Sequence, residues 1–422
     1  MKNLLKIMLT VTALALAACA CRRSQQAEEE PRYRNILIRD FRKGKDGIIV
    51  SYNIGTTAHC PGTIASLRKL LPDDVRITVW ADMPLDPVIR DMMEKRWPDV
   101  RIVYGQLGGN APEELRSAVE ASDLLLVSSG SGVAASVAKS IREYKSGSGK
   151  AVGAYAVGAV PRDLLGLMDF VWYRDEKSLA KAPAGDMPEI FGFAPDAGFD
   201  FDCVDEQTAS RLLADKGLLG KDFICCIPGF RYTPAWEYFG SRPDSVRIEA
   251  NMKMEDHDNG ILRHMICQSV RDRGMEVLIC PEQIPELRLA REAVLDRLPE
   301  DVRGHCAVLD TMWSPQTALS VYRRARAVAG IQMHSEVMAI GSGIPAIVLR
   351  HSGFGNKSDM WRSIGLGDWL IDIDDPDAQE RAGAALADIL DHPEKAQGKV
   401  RQARKAIDEA RDSAIRKTFF IQ

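Results

Sequence analysis

Two rhythms of apolar and polar positions alternate along most of the chain. Solid apolar runs, IIVSY at 48–52, RITVWA at 76–81, VRIVYG at 100–105, DLLLVSSG at 123–130 and AVGAYAVG at 151–158, predict buried strands. Helical spacing separates them, in TIASLRKLL at 63–71 and over 86–97, 112–121 and 133–145. The polar, Gly-containing stretch NIGTTAHCPG at 53–62 predicts a turn between the first strand and its helix. The second half repeats the scheme: strands FICCIPGF at 223–230, MEVLICPE at 275–282 and CAVLD at 306–310 alternate with helices over 211–219, 261–274, 286–298 and 315–325. Residues 233–258 predict a polar excursion, in which Trp236, Tyr238 and Phe239 would either stack on sugar rings or pin the loop to the body.

The clearest pattern is ARAVAGIQMHSEVMAIGSGIPAIVLRHSGFGNK, 325–357. It predicts a strand at 327–331, a helix from Met333-His334-Ser335 to Gly341-Ser342-Gly343, a strand at 346–350, and a Gly-rich loop ending at Lys357. Gly after the periodic segment and Pro345 just beyond it are stop signals. In such a β-α-β unit the strand-to-helix turn lies at the carboxyl edge of a parallel sheet, where open α/β folds bind ligands. His334 then sits among the unpaired N–H groups of a first helical turn, with Lys357 at the same edge. An isolated reading makes His334 a capping residue and Lys357 a solvated one.

Strand and helix alternate throughout, which predicts an α/β fold of two Rossmann-like, doubly wound parallel-sheet domains facing a cleft. The boundaries expected are 1–21, a signal segment; 22–46, a tether; 47–200 and 201–375, the two domains; and 376–422, C-terminal helices. The charged helix over 393–414 has a thin apolar stripe, Val400, Ala403, Ile407 and Ala410, and is expected to pack as a lid on the N-terminal domain. With 45% hydrophobic and 27% charged residues the 422-residue chain has an ordinary globular composition, and a net charge of −4 argues against a nucleic-acid partner.

Lys2 and Lys6 precede the apolar run IMLTVTALALAACA, a secretory pattern too short for a comfortable membrane span. Leu16-Ala17-Ala18-Cys19 resembles a bacterial lipobox, which would place a lipid on Cys19 and anchor an exported protein to a membrane; if the signal does not function, the protein is cytoplasmic. Eight further cysteines show no C-x-x-C spacing, and no metal cluster is visible along the chain. Cys225, Cys226 and Cys280 fall in strand runs, where a thiol acts as a small buried hydrophobe.

Several motifs stand in one order. Asn53-Ile54-Gly55 follows the first strand, Ser129-Gly130-Ser131-Gly132 the fourth, Arg174-Asp175-Glu176 with Ser178 precedes Pro195-Asp196 and Phe199, and Arg231 ends a strand of the second half. Gln332-Met333-His334, Gly341-x-Gly343-x-Pro345 and Lys357 close the series. The set resembles the polysaccharide pyruvyl transferase family, strongly at the carboxyl end and loosely at the first turns, over roughly 47–375. Thr56 stands where the family carries Asp, and Gln332 where it carries Arg.

The resemblance implies transfer of a pyruvyl group from phosphoenolpyruvate to a sugar of a cell-surface polysaccharide or lipid-linked glycan, as a ketal, without a further cofactor or metal. It makes His334 and Arg231 catalytic, places Lys357, Gly341, Gly343 and Arg174 on the donor, and places Asn53, Gly55, Ser129 and Gly130 at acceptor-side turns. It also implies two domains paired as in GT-B glycosyltransferases. Two other readings stand beside it: a GT-B glycosyltransferase with another activated donor, and a non-catalytic, surface-anchored glycan-binding lipoprotein.

Overall fold

The computed structural model of the protein describes residues 30–42 and 53–420, apart from 184, 186, 239, 240, 352 and 353. The signal segment with Cys19 and the strand expected at 48–52 lie outside the described residues.

The first sheet comprises β1 (Asn35–Arg39), β2 (Arg76–Ala81), β3 (Arg101–Tyr104), β4 (Leu124–Val127), β5 (Ala151–Val157), β6 (Phe170–Tyr173) and β7 (Ile190–Phe193). The second comprises β8 (Phe223–Ile227), β9 (Glu276–Ile279), β10 (Cys306–Val308), β11 (Ala327–Gly330), β12 (Ala346–Arg350) and β13 (Leu370–Asp372). Their orders are β3-β2-β1-β4-β5-β6-β7 and β10-β9-β8-β11-β12-β13. Each is doubly wound and reverses direction once, between β1 and β4, where Arg39 pairs with Val127, and between β8 and β11, where Ile227 pairs with Gly330. A ligand crevice belongs outside the carboxyl ends of the strands at these points.

The first strand departs from expectation. NILIR lies within the stretch whose charge predicted a tether over 22–46, yet four of its five residues are buried. The charges around it are used structurally: Asp123 accepts from the Arg34 and Asn35 N–H groups, and the buried Arg39 guanidinium pairs with Asp82 and stands 4.8 Å over the Trp80 ring. Order extends back to Pro31, which bridges Phe420.

Two helices also begin earlier than their apolar pattern indicates. NIGTTAHCPG is not a turn but the start of the helix Ile54–Arg68, capped by Asn53, whose side chain accepts from Thr56 N at 2.8 Å. This helix is buried almost all round, between the two sheets, and carries Pro61 within it. The predicted excursion at 233–258 ends in the first half of a 29-residue helix, Ser245–Arg273. Asn251 and Asn259, on that polar half, hydrogen-bond the backbone of Tyr232 and Gly229 and so clamp the loop after β8.

The C-terminal helix Pro393–Phe419 returns to the first sheet, as expected. Trp172 Nε1 donates to Thr418 Oγ1 at 2.8 Å, Phe170 meets Phe419 edge-on at 6.2 Å, and the buried Arg411 reaches Asp200 at 3.0 Å. One apolar core runs through both halves, and the seven described cysteines are free thiols, with Cys225, Cys226 and Cys280 buried in it. No helix among the described residues is long and apolar enough to cross a membrane.

The halves interlock where the helix His334–Ser342 crosses the turn Ala197–Asp200. A Cβ on Gly341 would stand 2.1 Å from the Phe199 carbonyl oxygen, so Gly341 serves packing. Gly341→Ala is expected to cost about 1–3 kcal/mol by overpacking, measured as a drop in urea midpoint. Gly398→Ala, in the second turn of the C-terminal helix with only Arg401 near its Cβ at 3.8 Å, is expected to be neutral or to raise the midpoint.

Candidate functional site

The two switch points face one another across a cavity of about 270 Å³. From the first sheet come Asp40 and Arg42 after β1, the Ser128–Gly132 turn after β4, and Arg174 after β6; from the second come Glu282, Gln332, His334 and Lys357. Phe41 (φ 47) and Ala156 (φ 53), the two described non-glycine residues in the left-handed region, flank this edge. Such backbone costs on the order of 1 kcal/mol or more per residue and persists only where neighbours impose it. Ala156 uses its carbonyl to accept Ser129 Oγ at 3.0 Å and Gly130 N at 3.3 Å, which fixes the Gly/Ser turn on the cleft wall.

His334 opens its helix without a capping side chain from Met333. Glu282, three residues beyond β9 and itself fully buried, supplies the cap. Its Oε2 accepts the N–H groups of His334 at 2.9 Å and Ser335 at 2.8 Å and the Ser335 hydroxyl at 3.0 Å, while Oε1 lies 2.9 Å from His334 Nδ1. The anion expected at this helix terminus is therefore one of the protein's own carboxylates. With Nδ1–H directed at Glu282, His334 presents Nε2, which is buried and has no hydrogen-bond partner. Its ring lies against the helix Ile54–Arg68, where Gly55 leaves the space: a Cβ there would meet the imidazole at 2.0 Å.

Across the cleft His59, on the same helix, meets the His334 ring edge-on, centroids 4.9 Å apart. Its Nε2 lies 3.6 Å from Asp196 Oδ1, and Asp196 Oδ2 accepts from Arg174 Nη1 at 2.9 Å. Electrostatics sort these groups. Burial pushes the His334 pKa down despite the opposing pull of Glu282, so the neutral imidazole prevails at neutral pH. Burial alone would raise Asp196 and Glu282, but the His59, Arg174 and His334 groups hold Asp196 far below the usual carboxylate range, and His334, the Ser335 N–H and Lys357 hold Glu282 below its own. Lys357, its ammonium 4.1 Å above the Phe354 ring, is lowered mainly by burial. Beneath them Glu286 and Glu336 are pushed well above the usual range by burial and by the Glu282 charge.

The structure brings together His334, Lys357, Arg174, Asn53, Ser129 and Gly130 on one cavity, with Gly55 directly behind His334. It does not bring Arg231 there. Its guanidinium is held by Asp258 at 2.6 and 3.0 Å and by Asp374, and braces the loop after β8 instead of offering a fork to a ligand. Gly341 packs on Phe199, and Gly343 is the left-handed C-cap at the far end of the helix, φ 94, so neither lines the cavity. Glu282, His59 and Asp40 were missed. For Glu282 a signal existed, an acid just past the carboxyl end of a strand; His59 was hidden in a stretch that resembles a turn.

No protein-family model and no curated protein matches the chain by sequence. Solved structures do match its shape. A putative UDP-N-acetylglucosamine 2-epimerase from Listeria monocytogenes superposes with a TM-score of 0.53 at 14% identity, over 90% of this chain and 94% of that one. A glycosyltransferase from Rickettsia africae superposes at 0.52 and 9%, over 90% and 98%. A trehalose 6-phosphate synthase from Burkholderia multivorans superposes at 0.50 and 8%, over 91% and 96%. The fold is GT-B-like. At these identities the likeness extends to the two paired sheets, and the chemistry rests on the cleft.

The buried histidines set a pH dependence. His351 is lowered to about 4 by burial, and His334 is lowered too. Between a folded value below and an unfolded value near 6.5, the unfolded chain binds protons that the folded chain does not. The histidine contribution is therefore complete above about pH 6.5 and is lost as pH falls, on the order of 1 kcal/mol per pH unit while a histidine stays neutral only in the folded chain. The raised Glu286 and Glu336 contribute with the opposite sign. The urea midpoint of His351→Gln, taken relative to the unsubstituted protein at each pH, is expected to rise between pH 7.5 and pH 5, because the variant lacks the histidine contribution that is lost over that range. An unchanged profile in that variant would contradict the assignment.

Proposed function

We propose that the protein is a transferase that moves the pyruvyl group of phosphoenolpyruvate onto two hydroxyls of a sugar in a polysaccharide or lipid-linked glycan. The observation that carries this reading is the neutral His334 imidazole on the cavity wall, held by Glu282 at 2.9 Å on Nδ1 and left with an unpartnered Nε2. Lys357 and Arg174, beside it, suit a small phosphate and carboxylate donor.

In this reading one sugar hydroxyl adds to C2 of the donor as His334 Nε2 takes its proton, and His334 hands that proton to C3, which becomes the methyl carbon. The C2–O bond to phosphate then breaks, and the second hydroxyl closes the ketal, its proton leaving with phosphate. Lys357 neutralises charge on the departing group in a partly dry site. Gln332, replacing the family's Arg, donates to Glu286 and adds no charge of its own. An exported form anchored through Cys19 would act on envelope glycans, and a cytoplasmic form on lipid-linked precursors; lipid labelling with Cys19→Ser as control separates them. Glycosyl transfer from a nucleotide sugar is the second reading, favoured by the GT-B-like pairing of the sheets.

The test is thermal unfolding with and without phosphoenolpyruvate. A ligand at 100 times its dissociation constant adds about 2.7 kcal/mol, which moves the midpoint by a few degrees. Lys357→Ala is expected to abolish that shift. His334→Gln, which keeps a donor toward Glu282, is expected to keep the shift and to lower turnover at least about 100-fold. A shift with UDP-sugars and none with phosphoenolpyruvate would sink the pyruvyl reading in favour of the second, and a shift with polysaccharide alone would leave a glycan-binding protein.

A further inference from the structure

Three side chains at the base of the cleft converge from distant parts of the chain: His59 from the helix Ile54–Arg68, Asp196 from the turn after β7, and His334 from the turn after β11. One donor atom of each lies within 4.8 Å of those of the others, and His59 Nε2 is 3.6 Å from Asp196 Oδ1. Both Nε2 atoms are buried with no hydrogen-bond partner, and His59 is only 5% exposed. A buried polar nitrogen left unpaired costs on the order of 1–3 kcal/mol, and two on adjoining rings beside one carboxylate call for a common partner.

The outer contacts have the form that ligating residues require. Glu282 accepts His334 Nδ1–H at 2.9 Å, which leaves the lone pair on Nε2 facing the cluster. Arg174 holds Asp196 Oδ2 at 2.9 Å and the Gly198 N–H reaches Oδ1 at 2.9 Å, so the carboxylate is fixed with Oδ1 toward His59. A carboxylate behind a histidine sets tautomer and ring orientation in metal sites.

We infer that His59, Asp196 and His334 bind a divalent transition-metal ion of the zinc type, with the fourth position open to the cleft. Two imidazoles and one carboxylate are zinc donors and poor magnesium or calcium donors. Bonds of about 2.0–2.2 Å in a tetrahedron set donors roughly 3.4 Å apart. The His59–Asp196 separation, 3.6 Å, is close to that already, and the His334 donor lies within 4.8 Å of both. Asp196 and Glu282 supply two negative charges against the ion, with Arg174 bound to the carboxylate oxygen turned away from it. The inference does not depend on the donor substrate, but it bears on the transfer reading at one atom: metal and proton compete for His334 Nε2, so zinc loading suppresses proton transfer there.

The test uses the full chain, stripped with a chelator and titrated with cobalt(II), then with zinc. The expected result is one cobalt per chain, visible absorption of a four- or five-coordinate ion, and displacement by zinc. His59→Gln is expected to weaken binding at least tenfold, and Glu282→Gln to weaken it 10–100-fold, since it removes both the carboxylate that orients the His334 ring and one of the two negative charges. Asp196→Ala leaves Arg174 without its partner and is liable to misfold, so His59→Gln, checked by unfolding midpoint, carries the decision. Absence of stoichiometric binding overturns the inference. So does binding unchanged by both His59→Gln and His334→Gln, which would put the ion elsewhere, for instance at His257, Asp258 and Asp374. Neither readout uses phosphoenolpyruvate, so failure of the transfer reading leaves this result interpretable.

Discussion

Glu282 joins three segments that would otherwise meet at bare helix ends. Its side chain satisfies the first N–H groups of the helix carrying His334, and its backbone carbonyl accepts the N–H of Ile54 at 3.0 Å, where the central buried helix begins. The next residue, Gln283, bridges Asn53. Both helices on which the cleft histidines stand are thus started by one short segment after β9. Unpaired N–H groups at a buried helix end are costly, and a carboxylate there also opposes the helix dipole favourably. The distance between the two imidazoles, and so the width of the cleft floor, follows from this one anchor.

Below the anchor the carboxylates divide by role. Glu282 stays charged because imidazole, amide and hydroxyl groups all face it; Glu336, with neither oxygen bonded, is kept neutral by burial and by that same charge. Glu286 receives the amides of Glu282, Gln283 and Gln332. Gln332 fits this setting as an uncharged donor. An arginine there would bring a fixed positive charge close to His334 and Lys357 and would change which of the three carboxylates ionises.

Much of the fold was legible because apolar strand runs and Gly/Pro stops agree, as they do from Ala327 to Arg350. The failures share a cause. In the helix Ile54–Arg68, Gly55, Pro61 and Gly62 resemble turn residues, but Gly55 accommodates His334 and a Cβ on Gly62 would stand 2.1 Å from the Ala197 carbonyl. Tertiary contact decides those positions, and local propensity does not register it. β1 was masked by charges whose partners flank other strands, as Asp82 follows β2, and the first half of the Ser245–Arg273 helix by polar residues that clamp a loop. In the site, His334, Lys357 and Arg174 were found because each follows a strand. Arg231 also follows a strand, yet its partners Asp258 and Asp374 come from elsewhere in the chain and withdraw it from the cleft. The pairing of His59 with His334 has no local trace in the sequence at all.

The contact between Gly55 and His334 has a consequence for descent. A side chain at position 55 and an imidazole at position 334 occupy the same space. The constraint runs one way: the clash reaches the Cβ of residue 334, so shortening that side chain does not relieve it, and any side chain at 55 requires the backbone of one helix start to move. Position 55 is therefore expected to stay glycine even in relatives whose residue 334 has changed.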